Sequence, residues 1–454
     1  MAKKFIDLNN LAPITIEKDF KDWLSDDCLA RFIVEVVDQM GISGIESQYT
    51  CGGSEGYPPK MLIALVFYCY ASGIFSSRKI EKATYELIPA IFIAQGLHPD
   101  HSVISKFRKR FIKDLEVLFT QILLIASEMG ILKLGDISLD GTKVKANARK
   151  HKALSYKYAC KLEDKLKQEI ATLMAKAKES DNADLKDLDI SAEIKRREDR
   201  IKNIARAKAT IEARRNERYQ REKEDYDKKV ATRELKEKER GRKFGGKKPV
   251  APENKPKPSD QVNLTDKESR IMPKSGGGFE QAYNAQAAVD HASMLIVENH
   301  VSQQSNDKQE LEPALEKIEE LPEALGSADR IATDNGYKSE ANTVLAAEKG
   351  IELYAPSGRE KHNNKLGDLL SKEPKKPNNP TPSEALSYKM ATKAGKAFYA
   401  LRKTTIEPTF GVIKNVMGFR CFSLRGFESV TGEWNLVCMA YNLKRLCALN
   451  LKMA

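Results

Sequence analysis

Three acidic residues occupy positions from which a carboxylate could bind a divalent metal ion. Asp140 ends an apolar alternation in "ISLDGTKVKANARKH", and Asp334 ends "RIATD" before an Asn-Gly turn. Two acids that leave adjacent strands at one sheet edge could share a metal ion. A third acid would complete a two-metal site, which activates the attacking oxygen and stabilises the leaving oxygen of an in-line displacement. The candidate is Glu407, in "RKTTIEPTFGVIKNVMGFR".

The residue after this third acid restricts its local structure. Proline is tolerated only in the first turn of a helix, so Pro408 predicts a helix that begins with Thr404 or Thr405 as its N-cap. Glu407 would then lie near the helix N-terminus, where the dipole favours an ionised carboxylate. Lys414 follows seven residues later, on the same face, and could hold the phosphate next to the reactive one.

Each acid also has a simpler interpretation. An aspartate before an Asn-Gly turn is more often an ordinary turn residue, and Glu407 could be a first-turn acid. Asp136 and Asp290 are further acids near strands: Asp136 is expected to precede the first strand, and Asp290 to begin a hairpin turn. Taken one by one, the residues leave both interpretations of the three candidate acids open.

The charge of the chain indicates the class of partner. The formal net charge is +12 and the pI about 9.1, which favours polyanions, and nucleic acid is the commonest of these. Lys143, Lys145, Arg149 and Lys150 follow Asp140 and could neutralise DNA that approaches it. The most apolar run, "MLIALVFYCYASGIF", is too short to span a bilayer, and the N-terminus lacks a signal-peptide h-region. We therefore expect a cytoplasmic protein that does not bind a membrane.

Residues 26–125 carry helical periodicity and predict a helical domain. Near its end, "HPDHSVISKFRKRF" offers Asp100 or Ser102 as an N-cap. The helix that follows could be a recognition helix or simply a solvated basic face; as a recognition helix it would direct four side chains at DNA, namely Ser105, Lys106, Arg108 and Lys109.

Residues 150–245 are highly charged and predict a helical hairpin. Leu162, Leu166, Ile170 and Leu173 mark one helix, and a second stripe consists of Ile194, Ile201, Ile204 and Ile211. The turn is expected in "SDNAD" from Ser180. The Gly-, Pro- and Lys-rich stretch at 241–260 predicts a flexible basic loop.

The last part of the chain is strand-like. From residue 279, "FEQAYNAQAAVD", "MLIVENHVS", "DRIATDNGY" and "IELYAP" predict strands, with helices in "NDKQELEPALEKIEEL" and "EANTVLAAEKG". With "DISLDGTKVKA" as the first strand, the order is βββαβαβ, which matches the RNase H-like fold.

The sequence as a whole resembles the DDE transposases of bacterial insertion sequences. The resemblance covers nearly the whole chain, and its motifs are "YPPKMLIALVFYCYASGIFSSRKIEKA", "PDHSVISKFRKR", "LDGTKVKANA", "YNAQAAVD", "TDNGY" and "IEPTFGVIKNVMGFRCFSLRGFESVTGEWNLVCMAYNLKRL". It implies that Asp140, Asp334 and Glu407 are the catalytic acids and bind Mg²⁺ or Mn²⁺. The family signature is Tyr, two residues, Arg, three residues, Glu, six residues, Lys.

The signature is only partly kept. Glu407 and Lys414 have the right separation, whereas the arginine position holds Lys403 and the tyrosine position holds Ala400. Tyr399 and Arg402 are each displaced by one residue, which leaves open which side chain takes the arginine role.

The expectation is therefore an α/β protein, with an RNase H-like mixed-sheet catalytic core, an all-α N-terminal domain and an inserted charged helical hairpin. The domains would be 1–125 for DNA binding, 126–150 for the first core strand, 151–260 for the hairpin and loop, and 261–454 for the rest of the core.

The resemblance implies binding of terminal inverted repeats and target DNA, with strand cleavage and transfer by a homodimer in the DNA complex. The alternatives are a DNA-binding protein without catalysis and a metal-dependent nuclease that cuts without joining.

Other residues have weaker assignments. Arg420, Arg425 and Lys444 are expected to contact backbone phosphate or to cap the final helix. Asn335 and Tyr337 could touch substrate or simply form the turn. Three residues of the final helix are expected in the core rather than in a base-stacking surface, namely Trp434, Leu436 and Tyr441.

Overall fold

The computed structural model describes residues 20–49, 56–179, 189–243, 245–274, 276–356, 358 and 374–453. Contacts within the chain divide it into two compact units. The first combines Met1–Val144 with Tyr283–Ala454, and the second is Lys145–Ala282.

The elements follow one another in a mixed order of helices and strands. The helices are α1 (Leu29–Gln39), α2 (Ser43–Glu46), α3 (Pro59–Ala71), α4 (Ser77–Glu86), α5 (Ile88–Ala94), α6 (His101–Arg110), α7 (Asp114–Glu128), α8 (Tyr156–Glu179), α9 (Ile190–Arg240), α10 (Leu311–Glu319), α11 (Glu340–Glu348), α12 (Pro382–Ala391), α13 (Lys393–Gly411) and α14 (Phe427–Met453). The strands are β1 (Asp136–Lys145), β2 (Ala153–Ser155), β3 (Gln261–Asn263), β4 (Arg270–Pro273), β5 (Phe279–Asp290), β6 (Ile296–Ser302), β7 (Arg330–Thr333) and β8 (Glu352–Tyr354).

The first unit begins with helices. From Phe20 to Glu128 the described residues contain no strand. α3 holds the most apolar run of the chain and is buried along most of its length, as predicted. Among the described residues no helix is long and apolar enough to cross a membrane. α6 begins after Asp100, whose carboxylate accepts hydrogen bonds from the backbone of Ser102 at 2.6 Å and of Val103 at 3.1 Å, so Asp100 is the N-cap.

A mixed sheet follows these helices in the first unit. Its strand order is β6-β5-β1-β7-β8, with β1 parallel to β7, β7 parallel to β8 and β5 antiparallel to β6. Together with α10 and α11, these strands give the predicted order βββαβαβ. The architecture is mixed α/β and agrees with an RNase H-like core.

The last helix, α14, completes the core of the first unit. Trp434, Leu436 and Tyr441 are all at least 96% buried, so the prediction that they are core residues is confirmed. The indole Nε1 of Trp434 donates to the backbone oxygen of Gln286 on β5 at 2.9 Å, which fixes this helix against the sheet.

The second unit consists of two long helices and short strands. β2 pairs antiparallel with β3, and β4 pairs antiparallel with the start of β5. α8 and α9 pack through apolar side chains that include Leu166, Ile204 and Ile211, all members of the predicted stripes. The turn predicted at "SDNAD" lies outside the described residues.

Candidate active site

Two neighbouring parallel strands, β1 and β7, position the first two acids. Leu139 is paired with Thr333 at the end of the shared register of these strands. Asp140 and Asp334 are the next residues, so both carboxylates lie at the same edge of this pairing, although β1 continues to Lys145 and β7 ends at Thr333. Asp140 Oδ1 accepts from the backbone N–H of Gly141 at 2.9 Å, and Asp334 Oδ1 accepts from that of Gly336 at 2.6 Å. Asp334 therefore forms a turn and also faces this edge.

The helix that carries the third acid begins earlier than predicted. α13 starts after Thr392, whose side chain accepts from the backbone of Gly395 at 3.0 Å, and it contains Pro408 in its interior. The prediction that Thr404 or Thr405 is the N-cap is wrong. Glu407 consequently lies in the C-terminal part of the helix, and the dipole argument for its ionisation does not apply.

Packing explains why this helix tolerates proline. The buried side of α13 repeats at helical spacing through the proline position, with Phe398, Tyr399, Arg402, Thr405, Ile406, Thr409 and Phe410. An interior proline costs about 3 kcal/mol, and burial of several large side chains outweighs this cost. This apolar repeat was the sequence signal for the longer helix.

Arg402 connects two of the acids. Its Nη2 lies 2.5 Å from Asp140 Oδ2, and its Nη1 lies 3.5 Å from Glu407 Oε1. The side chain of Arg402 is 10% exposed, whereas that of Glu407 is 53% exposed. Lys403 is exposed, and Tyr399 packs in an apolar cluster with Phe398. Of the three candidates for the signature roles, Arg402 is the one that reaches the acids.

The surroundings shift the pKa values of two residues at this edge, Asp140 and Lys414. Burial raises the pKa of Asp140 to about 7; the Arg402 guanidinium opposes this shift, and the nearby carboxylates of Asp334 and Asp307 add to it. Burial also lowers the pKa of Lys414, which donates to Thr142 Oγ1 and lies 3.4 Å from the backbone oxygen of Lys143. Lys414 belongs to a π-helical turn, residues 412–416, that follows α13.

One predicted DNA contact must be corrected. Arg108 does not face solvent: its side chain is buried and donates to the Tyr70 hydroxyl at 2.6 Å, the Phe75 backbone oxygen at 2.9 Å and Ser77 Oγ at 2.6 Å. These hydrogen bonds connect α6 to α3 and α4, so the side of α6 that carries Arg108 packs against other helices. Lys106 and Lys109, on the other side of the helix, are exposed.

The other basic candidates differ in their exposure. Lys143 is half-buried and lies 3.5 Å from Asp307 Oδ1, and Lys145 is exposed and pairs with Glu280 at 3.3 Å. Arg420 is exposed and donates to Asn415 Oδ1 at 2.6 Å, and Arg425 is exposed. Lys444 is half-buried and donates to the backbone oxygen of Ala71 at 3.2 Å, so it neither faces solvent fully nor caps its own helix.

The two other acids near strands have structural partners. Asp136 forms a bidentate ion pair with Arg330, at 2.6 and 2.5 Å. Asp290 accepts from the backbone and the hydroxyl of Ser293, at 2.8 and 2.7 Å, in the turn between β5 and β6. The prediction for Asp290 is confirmed, whereas Asp136 is the first residue of β1 and does not precede it.

Sequence analysis missed three polar residues at this edge. Asp307 Oδ1 accepts from Asn284 Nδ2 at 2.6 Å and from Gln286 Nε2 at 2.8 Å. The Tyr337 hydroxyl donates to Gln286 Oε1, so this buried tyrosine supports the cluster rather than facing a substrate. The available signal was the placement of Asn284 and Gln286 at alternate positions of strand β5, between Tyr283, Ala285 and Ala287. Asp307 lies in a loop, and no pattern marked it.

The oxygen atoms at this edge have the chemistry that a divalent metal ion requires. In the described part of the chain, no three His, Cys, Asp or Glu side chains stand close enough together to bind a metal ion as they are placed. The donors are nevertheless hard oxygens: the carboxylates of Asp140 and Asp334, and Asn284 Oδ1, which is buried without a hydrogen-bond partner. Such oxygens suit Mg²⁺ or Mn²⁺, so the residues present fit the ion that the resemblance implies.

Comparison with protein families agrees with this arrangement. Residues 251–443 match the model of a transposase DDE domain, and residues 18–110 match that of a transposase domain (DUF772). The first match contains Asp334 and Glu407, and the second contains α6. Searches of curated proteins and of solved structures gave no match. Together these two family matches support an insertion-sequence DDE transposase.

Proposed function

We propose that this protein binds the terminal inverted repeats of its own element, cleaves the DNA at the element's ends and transfers the 3′-hydroxyl ends to target DNA. Asp140, Asp334 and Glu407 are the catalytic acids. The observation that carries the proposal is the register of β1 and β7, which brings Asp140 and Asp334 to one edge, where Arg402 joins Asp140 to Glu407.

The residues at the edge have distinct tasks in this reaction. Asp140, Asp334 and Glu407 would hold divalent metal, which when bound activates the attacking oxygen and stabilises the leaving oxygen. Arg402 neutralises Asp140 and restrains Glu407 until the acids bind the cation. Lys414 lies beside the end of β1 and supplies a positive charge for the phosphate next to the reactive one.

Basic side chains outside the acid cluster would hold the DNA. Lys106 on α6 presents a charge to a duplex, and we assign DNA binding to the helical domain at residues 1–125. Five further residues would contact backbone phosphates of the flanking or target DNA, namely Lys143, Lys145, Lys403, Arg420 and Arg425. These contacts position the duplex and carry no sequence information.

The inserted segment and the assembly form the last part of the proposal. Residues 151–260 carry the charged helices α8 and α9, which would contact flanking DNA or the second subunit. Two element ends must be held together for transfer, so the active species would be a homodimer bound to DNA.

The test is cleavage and joining of a labelled duplex that carries the element's own end, with Mg²⁺. The intact protein is compared with Glu407→Gln and with the matched control Glu312→Gln, an exposed glutamate on α10. We expect Glu407→Gln to lose cleavage and joining while it still binds the duplex, and Glu312→Gln to retain both activities.

Other results would change the proposal in defined ways. Full activity of Glu407→Gln would show that Glu407 is not a catalytic residue. Cleavage without joining by the intact protein would favour a nuclease over a transposase, and duplex binding without cleavage would favour a DNA-binding protein.

A further inference from the structure

Asp307 lies in the loop between β6 and α10, close to Asp140 and Asp334. Ser302, the last residue of β6, pairs with Asn284 of β5, so the loop that follows begins next to that asparagine. The amides of Asn284 and Gln286 both donate to Asp307 Oδ1, at 2.6 and 2.8 Å. These hydrogen bonds orient the Asp307 carboxylate, which remains 17% exposed.

The carboxylate of Asp307 lies close to the backbone beside both acids. A Cβ on Gly141, the residue after Asp140, would lie nearest to Gln286 Nε2, and 2.6 Å from Asp307 Oδ1 and 2.9 Å from Asn284 Oδ1. A Cβ on Gly336, two residues after Asp334, would lie 3.5 Å from Asp307 Oδ2 and 2.8 Å from Asp334 Oδ1. Only glycine fits at 141, because these three side chains approach the backbone this closely. Asp307 thus stands between the two acids at the sheet edge.

Asn284 provides an independent indication that a ligand binds here. Its side chain is fully buried, and its Oδ1 has no hydrogen-bond partner. A buried amide oxygen without a donor is unfavourable, because it has given up its hydrogen bonds to water and gained none. The Nδ2 group faces Asp307, so Oδ1 is directed at the backbone after Asp140, where a cation would satisfy it.

We propose that Asp307 is a fourth acid of the active site and that, together with Asn284 Oδ1, it binds the divalent cation beside Asp140 and Asp334. This inference rests on the proposed function. The ligand is a cation rather than a phosphate, because Asp307 and Asn284 direct oxygen acceptors at this point, and the Gln286 amide that also reaches it already donates to Asp307 Oδ1.

Two side chains already place positive charge on this cluster. Lys143 Nζ lies 3.5 Å from Asp307 Oδ1, and Arg402 Nη2 lies 2.5 Å from Asp140 Oδ2. A divalent ion that binds here must displace Lys143 from Asp307 and Arg402 from Asp140. The ammonium of Lys143 therefore competes with the ion for Asp307.

The experiment measures Mn²⁺ binding to the full-length protein, with free Mn²⁺ followed by electron paramagnetic resonance. Asp307→Asn keeps the shape of the side chain and removes its charge, and we expect it to weaken Mn²⁺ binding at least about tenfold. Asp140→Asn serves as the reference for loss of the site. The matched control is Asp329→Asn, an exposed aspartate before β7, which should bind Mn²⁺ as the intact protein does.

A second variant tests the inference without removing an oxygen. Lys143→Gln removes the competing ammonium, so Mn²⁺ should bind several-fold more tightly. Unchanged or weaker binding by Lys143→Gln would overturn the role of Asp307, and so would an Asp307→Asn titration that matches the intact protein while Asp140→Asn has lost binding. If Asp140→Asn also binds as the intact protein does, the proposed catalytic site fails together with this inference.

Discussion

Two buried carboxylates of the first unit, Asp140 and Glu433, have different surroundings. Glu433 accepts hydrogen bonds from the backbones of Ser423 and Leu424, both at 2.9 Å, from the Ser423 hydroxyl and from Tyr70 at 3.3 Å. These donors belong to different parts of the unit, so the glutamate ties helix α3 to the segment before α14.

Asp140 has fewer donors. It accepts from Gly141 and pairs with Arg402. Burial raises the pKa of Asp140 to about 7, and repulsion from Asp334 and Asp307 adds to this shift. Carboxylates that stabilise a fold have their hydrogen bonds satisfied by fixed donors, whereas those that bind a ligand keep some of their capacity free. The comparison predicts that changes around Asp140 affect activity, and that changes around Glu433 affect stability.

The largest effect is expected at Asp140. Asp140→Asn should lower the rate of strand cleavage by roughly 10³-fold or more, because a metal ligand contributes several kcal/mol to the transition state. Single-turnover cleavage of a labelled element end, with duplex binding as the control, measures this change. Cleavage within tenfold of the intact protein would contradict the assignment.

The next effect concerns Arg108, which donates to the Tyr70 hydroxyl that in turn donates to Glu433. Arg108→Met removes the donor to Tyr70, Phe75 and Ser77 and should lower the free energy of unfolding by about 2–4 kcal/mol. Urea unfolding measures the loss. Lys109→Met, on the exposed side of the same helix, is the matched control and should change stability by less than about 0.5 kcal/mol. Equal losses in the two variants would show that Arg108 is not part of a stabilising cluster.

A third cluster allows a test by pH. His300 lies between Glu298 at 2.8 Å and Glu310 at 3.2 Å; burial lowers its pKa, but the two glutamates outweigh this and raise it from 6.5 to about 9. A raised histidine pKa stabilises the fold fully below pH 6.5, and this contribution is lost as the pH rises through about 9. The free energy of unfolding should therefore fall by about 1–3 kcal/mol over this range.

The control for this pH dependence is His300→Gln. It removes the titrating group, so its stability should fall less over the same pH range than that of the intact protein. Parallel curves for the two proteins would contradict the assignment to His300.

The smallest effect separates the two sides of α6. Lys106→Ala should weaken duplex binding a few-fold and reduce the slope of log affinity against log salt by about 1, since one phosphate contact is lost. Arg108→Met, measured well below its unfolding temperature, should leave that slope unchanged because its side chain is buried. If the salt dependence of binding fell in Arg108→Met and not in Lys106→Ala, Arg108 rather than Lys106 would be the residue that contacts phosphate.

Local patterns predicted most of the elements. β5 spans the twelve predicted residues, since alternation and flanking turn residues set both its ends. Asp100 caps α6 through contacts two and three residues away, which the sequence contains in full. The placement of Asp140 and Asp334 at one edge also followed from the predicted strand order, although their catalytic role stays a prediction.

Other features depended on the packed chain. Pro408 predicted a helix start, but the apolar side of α13 extends the helix in both directions around it. Arg108 and Lys106 are both basic residues of one helix, and only the neighbouring helices decided which of them is buried. Whether Arg402 or Lys403 contacts Asp140 likewise depended on which side of α13 packs toward β1.

The sequence by itself determined the strand that contains Asp140 and the strand that Asp334 follows, because periodicity and turn chemistry act over a few residues. Only the tertiary structure decided the surroundings of these acids, including the approach of Asp307 and Asn284 from β5 and the loop after β6. The physical reason is the range of the interactions. Hydrogen bonds and burial between residues far apart in the chain form only when the sheet and helices pack, and they leave no spacing in the sequence from which they could be predicted.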